Sequence, residues 1–414
     1  MPSSALQPNE LRVRMYRVGF GDCFLLSLPG ASGHHHVLID CGVHFQGDIK
    51  TMPQIVQNIR AETGDKLDLV VVTHAHQDHI SGFGTQEAEW AKVTVNEIWM
   101  PWTESPTDAQ AVALRTKQLS VARKLHAHLK VEKRLDAATD SILENFVGFN
   151  LAKNEDSMRV ARGGFKGPQK LRYLDAGKKL EKAAGIEGFD VQVMSPSRDE
   201  SVLKKMDPPA GQRWLRAAGT SDASDLMQPF SDMIATRSVI GRAGGAILQR
   251  TEEKQLRDEV LADSSLALML DDVLNNTSLV LLMRYRGAAL LFPGDAQWGN
   301  WSTWLEKSGA DALLGEVTFF KVGHHGSHNS TPKSIVPKLS HPDLAAMIST
   351  QNKPFPSIPK AEMVTGLTTQ SHRRTVRSDW VTVAGAPPPP LAGPTKLPKP
   401  FKRGALWIDY LRTL

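Results

Sequence analysis

The segment LVVVTHAHQDHISGF, residues 69–83, sets an apolar run directly against His74, His76, Asp78 and His79. A short continuous apolar run reads as a strand buried on both faces. The ionisable groups then leave its carboxyl end together. His74 and His76 alternate with Ala75 and Gln77, so two imidazoles point one way. Asp78 and His79 follow at once and point another. Four such groups this close need solvent or partners if they are buried. Imidazole and carboxylate donors at this density fit two divalent metal ions. Zinc is favoured, with manganese or iron as alternatives.

Two distant segments repeat the pattern. Asp295 follows the apolar stretch of LLFPGDA, and His324 and His325 follow that of FKVGHHGS. In open sheets flanked by helices, ligands gather outside the carboxyl ends of strands. Three such strands therefore predict one shared site. Asp40, closing VLIDCG, is expected behind a ligand histidine, fixing its tautomer. The loop HHGSHNST offers Ser327, His328 and Asn329 as phosphate contacts, with ordinary turn chemistry as the alternative for Ser327 and Asn329. His34, His35 and His36 read as a hairpin rim, and His126 and His128 as surface residues of a helix.

The rest of the chain bounds the architecture. Its 414 residues and 41% apolar content support a substantial core. No apolar run is long enough for a membrane span, and the first residues, MPSSALQPNE, carry no secretory pattern. Cys23 and Cys41 are the only cysteines, which suits buried thiols and a reducing cytoplasm rather than a disulfide framework. Residues 353–414 hold ten basic against three acidic side chains, while the whole chain has a net charge of +5. This basic region suits an anionic partner such as nucleic acid, or a solvated surface. MPQIVQNIRAETG has helical spacing with a glycine stop, and a basic helix is expected from about Thr107 to Asp136. SLVLLMRYRGAALLFPGDA reads as strand, tight turn, strand. The stretch GAPPPPLAGPTKLPKP is Pro-rich and extended.

THAHQDH resembles the H-x-H-x-D-H signature of the metallo-β-lactamase fold superfamily. VGFGDCFLL, LIDCG, THAHQDHISGF, NNTSLVLLMRY, LLFPGDA and FKVGHHGSHNST run in the order seen in the hydrolase domain of the competence DNA-uptake channel family and its soluble relatives. The resemblance covers roughly residues 11–100 and 275–385. It implies a four-layered αββα sandwich, two metals between the sheets, and hydrolysis by a metal-bound hydroxide. On this basis residues 1–414 form a single domain, with mainly helical insertions at 104–170 and 195–274 and a Pro-rich basic tail segment at 386–403.

Carried over residue by residue, His74 and His76 would hold one metal, and Asp78 and His79 the other. Asp295 would bridge, with Asp78 and Asp295 the catalytic carboxylates. His324 would complete the second site, as the histidine nearer the strand end. Asp22, Asp40 and His325 would support the ligands from behind. The chain departs from the pattern twice: no further histidine ligand is assignable before Asp295, and STQNKPFPSIP has no histidine where relatives carry an aromatic-Gly-His-Pro segment. The expected reaction is phosphodiester hydrolysis of nucleic acid or a nucleotide, with Arg373 and Arg374 holding the substrate and Arg377, Lys124 and Lys130 as further basic contacts. The alternatives are hydrolysis of a small ester, lactone or cyclic nucleotide, or a non-catalytic binding protein. A protein partner could use the second insertion or the tail.

Overall fold

A computed structural model of the chain describes residues 6–131, 149–214 and 274–414. Within these, two sheets stack face to face. The first holds β1 (Glu10–Tyr16), β2 (Cys23–Gly30), β3 (Gly33–Cys41), β4 (Lys66–Val71), β5 (Thr94–Pro101), β6 (Lys170–Leu174), β14 (Phe401–Arg403) and β15 (Trp407–Thr413). Its spatial order is β14-β15-β1-β2-β3-β4-β5-β6. The second holds β7 (Lys179–Leu180), β8 (Phe189–Ser195), β9 (Val280–Tyr285), β10 (Ala288–Phe292), β11 (Phe319–Lys321), β12 (Ala345–Ile348) and β13 (Thr375–Arg377). Its order is β13-β12-β11-β10-β9-β8-β7.

Period-two alternation sorts each strand between two cores. Leu281 and Met283 of β9 point between the sheets, where they join Val13, Leu26, Ile39, Val71, Phe319 and Met347. Val280 and Leu282 point the other way, onto Trp301, Trp304 and Leu367 of the helices Trp298–Leu305 and Ala361–Gln370. Leu25, Leu38 and Val70 do the same on the first sheet. They meet Ile55, Val56 and Ile59 of the helix Met52–Thr63, and Ile80 and Phe83 of the helix Gln77–Thr85. Helix, sheet, sheet, helix is the αββα sandwich expected from the sequence. Gly64 ends the first helix in the left-handed region, as a glycine stop should.

β1 is less apolar than its place suggests. Arg12 and Arg14 alternate with Leu11, Val13 and Met15, and both guanidiniums are buried. Arg12 pairs with Glu62 at 2.8 Å, and Arg14 grips Asp409 of β15 through two bonds of 2.7 and 2.8 Å. The Arg14 guanidinium also lies 4.0 Å from the Trp407 ring centroid. The sandwich thus closes its first sheet with a buried ion pair between its first and last strands.

Three further expectations meet the structure here. Cys23 and Cys41 are buried thiols, and they face each other in the β2–β3 register. Residues 104–170 contain helices at Ala109–Val131 and Phe149–Gly163. The side chains of Lys124, His126, His128 and Lys130 lie outside the described residues, as does most of the second insertion. In the Pro-rich segment, Phe401–Arg403 is β14 and pairs antiparallel with β15 at the sheet edge.

Candidate metal centre

The parallel strands explain where the donors meet. β3, β4 and β5 run parallel in one sheet, and β10, β11 and β12 in the other. Asp40 ends β3, and His74 to His79 follow β4. Asp295 follows β10, His324 and His325 follow β11, and Ser349 follows β12. All leave carboxyl ends at one mouth of the sandwich.

Asp78, His79, Asp295 and His325 place one donor atom each within 4.8 Å of one another. His79 Nε2 is 3.1 Å from Asp295 Oδ2 and 3.6 Å from Asp78 Oδ2. His325 Nε2 is 2.9 Å from Asp78 Oδ2 and 3.9 Å from Asp295 Oδ2. Asp295 Oδ2 therefore faces both histidines. Its other oxygen accepts from the His324 backbone N–H at 3.1 Å and lies 3.4 Å from the Lys321 ammonium. Beside this group, His74 Nε2 lies 2.9 Å from His76 Nδ1, so the first two histidines also converge.

Two of the rings, those of His79 and His325, are oriented from behind. Asp40 Oδ2 lies 2.8 Å from His79 Nδ1, which turns Nε2 toward Asp295. Asp40 also accepts from the backbone N–H and the hydroxyl of Thr73, each at 2.7 Å. His325 Nδ1 donates to the Ser349 carbonyl at 2.9 Å, which turns its Nε2 toward Asp78. Phe20 packs on the His325 ring with centroids 4.3 Å apart. Asp22 is paired with Lys321 and reaches His325 Nδ1 at 3.7 Å.

The electrostatics of this cage favour a cation. Burial works against a charged His79 and a charged His325, yet both imidazoles are raised, because Asp295, Asp78 and Asp40 surround the first and Asp78, Asp295 and Asp22 the second. Burial pushes Asp78 and Asp295 up, but His79 and its neighbours hold both carboxyls well below the usual range. Buried carboxylates that draw protons onto histidines are a charge distribution suited to a divalent ion. His74 behaves oppositely: burial, then His79 and His76, hold it well below its ordinary value. It is thus a neutral imidazole, the form that ligates metal. The donor set fits a divalent cation.

The structure separates the histidine pair differently from the sequence reading. His325 joins the donor group, while His324 turns aside and its Nδ1 meets the Ser327 hydroxyl at 3.0 Å. The reason is backbone conformation. His324 and His325 both have positive φ, 43° and 53°. Two successive left-handed residues turn the chain sharply, and nearness to the strand end no longer decides which ring faces the cleft.

The residues expected to contact substrate make bonds of their own within the protein. Ser327 and Asn329 bond within their own loop, Ser327 Oγ donating to Asn329 Oδ1 at 2.9 Å, and His328 Nε2 lies 3.3 Å from Asp207. Arg374 donates to the carbonyls of Leu344 and Pro342, which precede β12. β13 runs parallel to β12, so Arg373 and Arg374 sit at the amino end of these strands, opposite the donors. Arg377 is buried against Asp379 at 2.6 and 3.0 Å. In the histidine triplet, His34 meets the Glu10 carbonyl, His35 meets Asp68 and His36 meets Ser27, so the three rings do not converge.

Sequence reasoning missed Thr73, Lys321, Ser349 and Phe20. Lys321 alone left a signal, as a lysine inside the apolar strand of FFKVGHH. The other three are ordinary residue types whose roles come from contacts across the sandwich.

A four-layered αββα sandwich with a histidine–aspartate cluster at the carboxyl ends of its strands defines a class of metal-centred hydrolases. The comparison of sequences agrees: the family model of the metallo-beta-lactamase superfamily matches residues 16–137, which include β2 to β5 and the whole THAHQDH segment. No curated protein matches the sequence. Among the described residues, no helix is long and apolar enough to cross a membrane.

Proposed function

We propose that the protein is a hydrolase with a two-cation centre, one ion held by His74 and His76 and the other by Asp78, His79 and His325, with Asp295 shared. The observation that carries this reading is the buried group Asp78, His79, Asp295 and His325, whose donor atoms lie within 4.8 Å of one another. The chemistry that divalent cations supply at such a centre is activation of water at neutral pH and neutralisation of charge on ester oxygens. The chain does the rest. Asp40 and the Ser349 carbonyl fix the rings of His79 and His325, Lys321 pins Asp295, and Phe20 covers His325 on one side.

We take the scissile bond to be a phosphodiester or carboxylic ester of a small molecule. The position of Arg373 and Arg374 at the far end of the second sheet favours this over a polynucleotide. The nuclease reading keeps the support of the six ordered motifs and the basic C-terminal region. Zinc suits the imidazole-rich donors, and manganese is the alternative.

The test is metal content with turnover. Wild-type protein should carry close to two transition-metal ions per chain, and should lose turnover on chelation and regain it with zinc or manganese. Asp295→Ala should lower metal content and turnover together while circular dichroism stays unchanged. A protein that takes up no metal, or an Asp295→Ala variant with full turnover, would sink the reading.

A further inference from the structure

Among the described residues, three large apolar side chains are exposed: Phe45 at 47%, Val112 at 41% and Leu391 at 67%. Single apolar residues scattered over a surface need no explanation. Two of these three, however, border the donor segment. The Phe45 N–H donates to Gln77 Oε1 at 3.4 Å, and Gln77 stands between His76 and Asp78. Val112 shares a cavity wall with Ala75, which stands between His74 and His76. Phe45 belongs to the loop that leaves the carboxyl end of β3, so it lies at the mouth where the donors gather.

A packed base holds Phe45 out toward solvent. The His44 ring lies against it, with centroids 4.8 Å apart and planes 32° apart. His44 in turn meets Phe20 at 6.4 Å and Phe355 at 5.7 Å, and Phe20 packs on the donor His325. One series of rings thus runs from His325 out to Phe45. The loop itself is clamped. The His44 N–H donates to the Phe20 carbonyl at 2.7 Å, and the Gly47 carbonyl accepts from Gln351 Nε2 at 2.7 Å. A Cβ at Gly47 would stand 2.4 Å from the Phe20 Cβ, so the two loops touch at backbone level. The nearby charges Asp48 and Lys50 pair with each other at 2.5 Å, and Gln46 is neutral. A fixed ring in this setting offers packing to a flat apolar group and little pairing to a charged one.

We propose that Phe45, backed by His44, is a specificity-determining contact that stacks on a flat, uncharged aromatic group of the substrate, next to the ester to be cut. The clamp on the loop keeps the ring in place before substrate arrives, so little ordering is needed on binding. This rests on the hydrolase reading above, and narrows it to small esters that carry an aromatic ring.

Calorimetric titration of the zinc-loaded full chain tests it, using phenylphosphonate, cyclohexylphosphonate and methylphosphonate, which share one head group. Ring stacking adds to apolar burial, so the phenyl compound should bind about threefold or more tighter than the cyclohexyl compound, and about tenfold or more tighter than the methyl compound. Phe45→Ala should bring all three within about twofold of one another, because the stacking partner is gone. Phe45→Tyr keeps a ring there and should keep the order. Zinc content and circular dichroism should be unchanged in both variants, since the Phe45 side chain lies outside the donor group. The proposal is overturned by binding of none of the three, by equal affinity of the phenyl and cyclohexyl compounds, or by a phenyl advantage that survives Phe45→Ala. A phenyl advantage that depends on Phe45, without turnover of any aryl ester, would remove the hydrolase reading and leave the Phe45 contact standing. Ester turnover without the phenyl advantage would do the reverse.

Discussion

His324 and His325 differ by one peptide unit, yet one faces Ser327 and the other faces Asp78. Their variants should therefore behave differently. His325→Ala should weaken metal binding by about tenfold or more. His324→Ala should keep most of the metal, because its side chain lies outside the donor group. Elemental analysis after dialysis decides, and the reverse pattern would mean that the positive-φ turn is placed wrongly. A second residue makes a prediction about acid stability. Burial, then Arg12, lower the His36 imidazole to about 4 against the pull of Asp68. The unfolded ring titrates near 6.5. Between these values the unfolded chain binds the extra proton, so stability falls as pH drops from about 6.5 to 4. The loss approaches about 3 kcal/mol at the bottom of that window. Urea unfolding of wild type and His36→Gln at pH 7 and pH 4.5 should show a shallower pH dependence in the variant. Equal dependence would assign the acid loss to other groups.

At the scale of elements, the donor loop after β4 is held by backbone contacts as well as by the Asp40 side chain. A Cβ at Gly42 would stand 2.4 Å from the His79 nitrogen and 2.5 Å from the Asp78 carbonyl carbon. The loop after β3 thus lies directly against the start of the helix that carries Asp78 and His79. Asp22 N–H donates to the Asp78 carbonyl at 2.9 Å, and Gly42 N–H to the Asp22 carbonyl at 2.9 Å. Gly42→Ala must push these backbones apart, a cost of about 1–3 kcal/mol for overpacking. We expect a folded but less stable protein, with metal content reduced because Asp78 and His79 are displaced. Thermal unfolding beside elemental analysis checks both halves. A variant with normal metal content would show that the loops can separate without disturbing the centre.

At the scale of the molecule, two sheets with their carboxyl ends at one mouth put the donors there and the arginines Arg373 and Arg374 at the other end. Phosphate contacts by lysine and arginine release counterions, so a polynucleotide held through them would show an apparent affinity that falls steeply with salt. On this geometry, reversing the charge of both arginines should leave the Michaelis constant and its salt dependence within about twofold of wild type, whatever the substrate. A steep slope abolished by the double variant would restore the nuclease reading and require substrate to span the sandwich.

Local chemistry made much of this protein legible from residue types alone. The apolar runs before His74 and Asp295 and the glycine stop at Gly64 each express a rule that acts over a few neighbours, and they place His74, His76, Asp78, His79 and Asp295 at strand ends, while the two-sheet architecture was legible only through the resemblance of the six ordered motifs. What the sequence could not convey are choices made by contacts between distant segments. His325 enters the donor group because two left-handed residues turn it there. Thr73, Ser349, Phe20 and Lys321 matter because β4, β12, the β1–β2 turn and β11 end at the same mouth. Arg12 and Arg14 are buried because Glu62 and Asp409 lie opposite them. The charge count toward the C-terminus likewise carried no information on where Arg373, Arg374 and Arg377 would stand. Spacing along a chain fixes which way a side chain leaves its strand, but only packing of the two sheets decides what it meets.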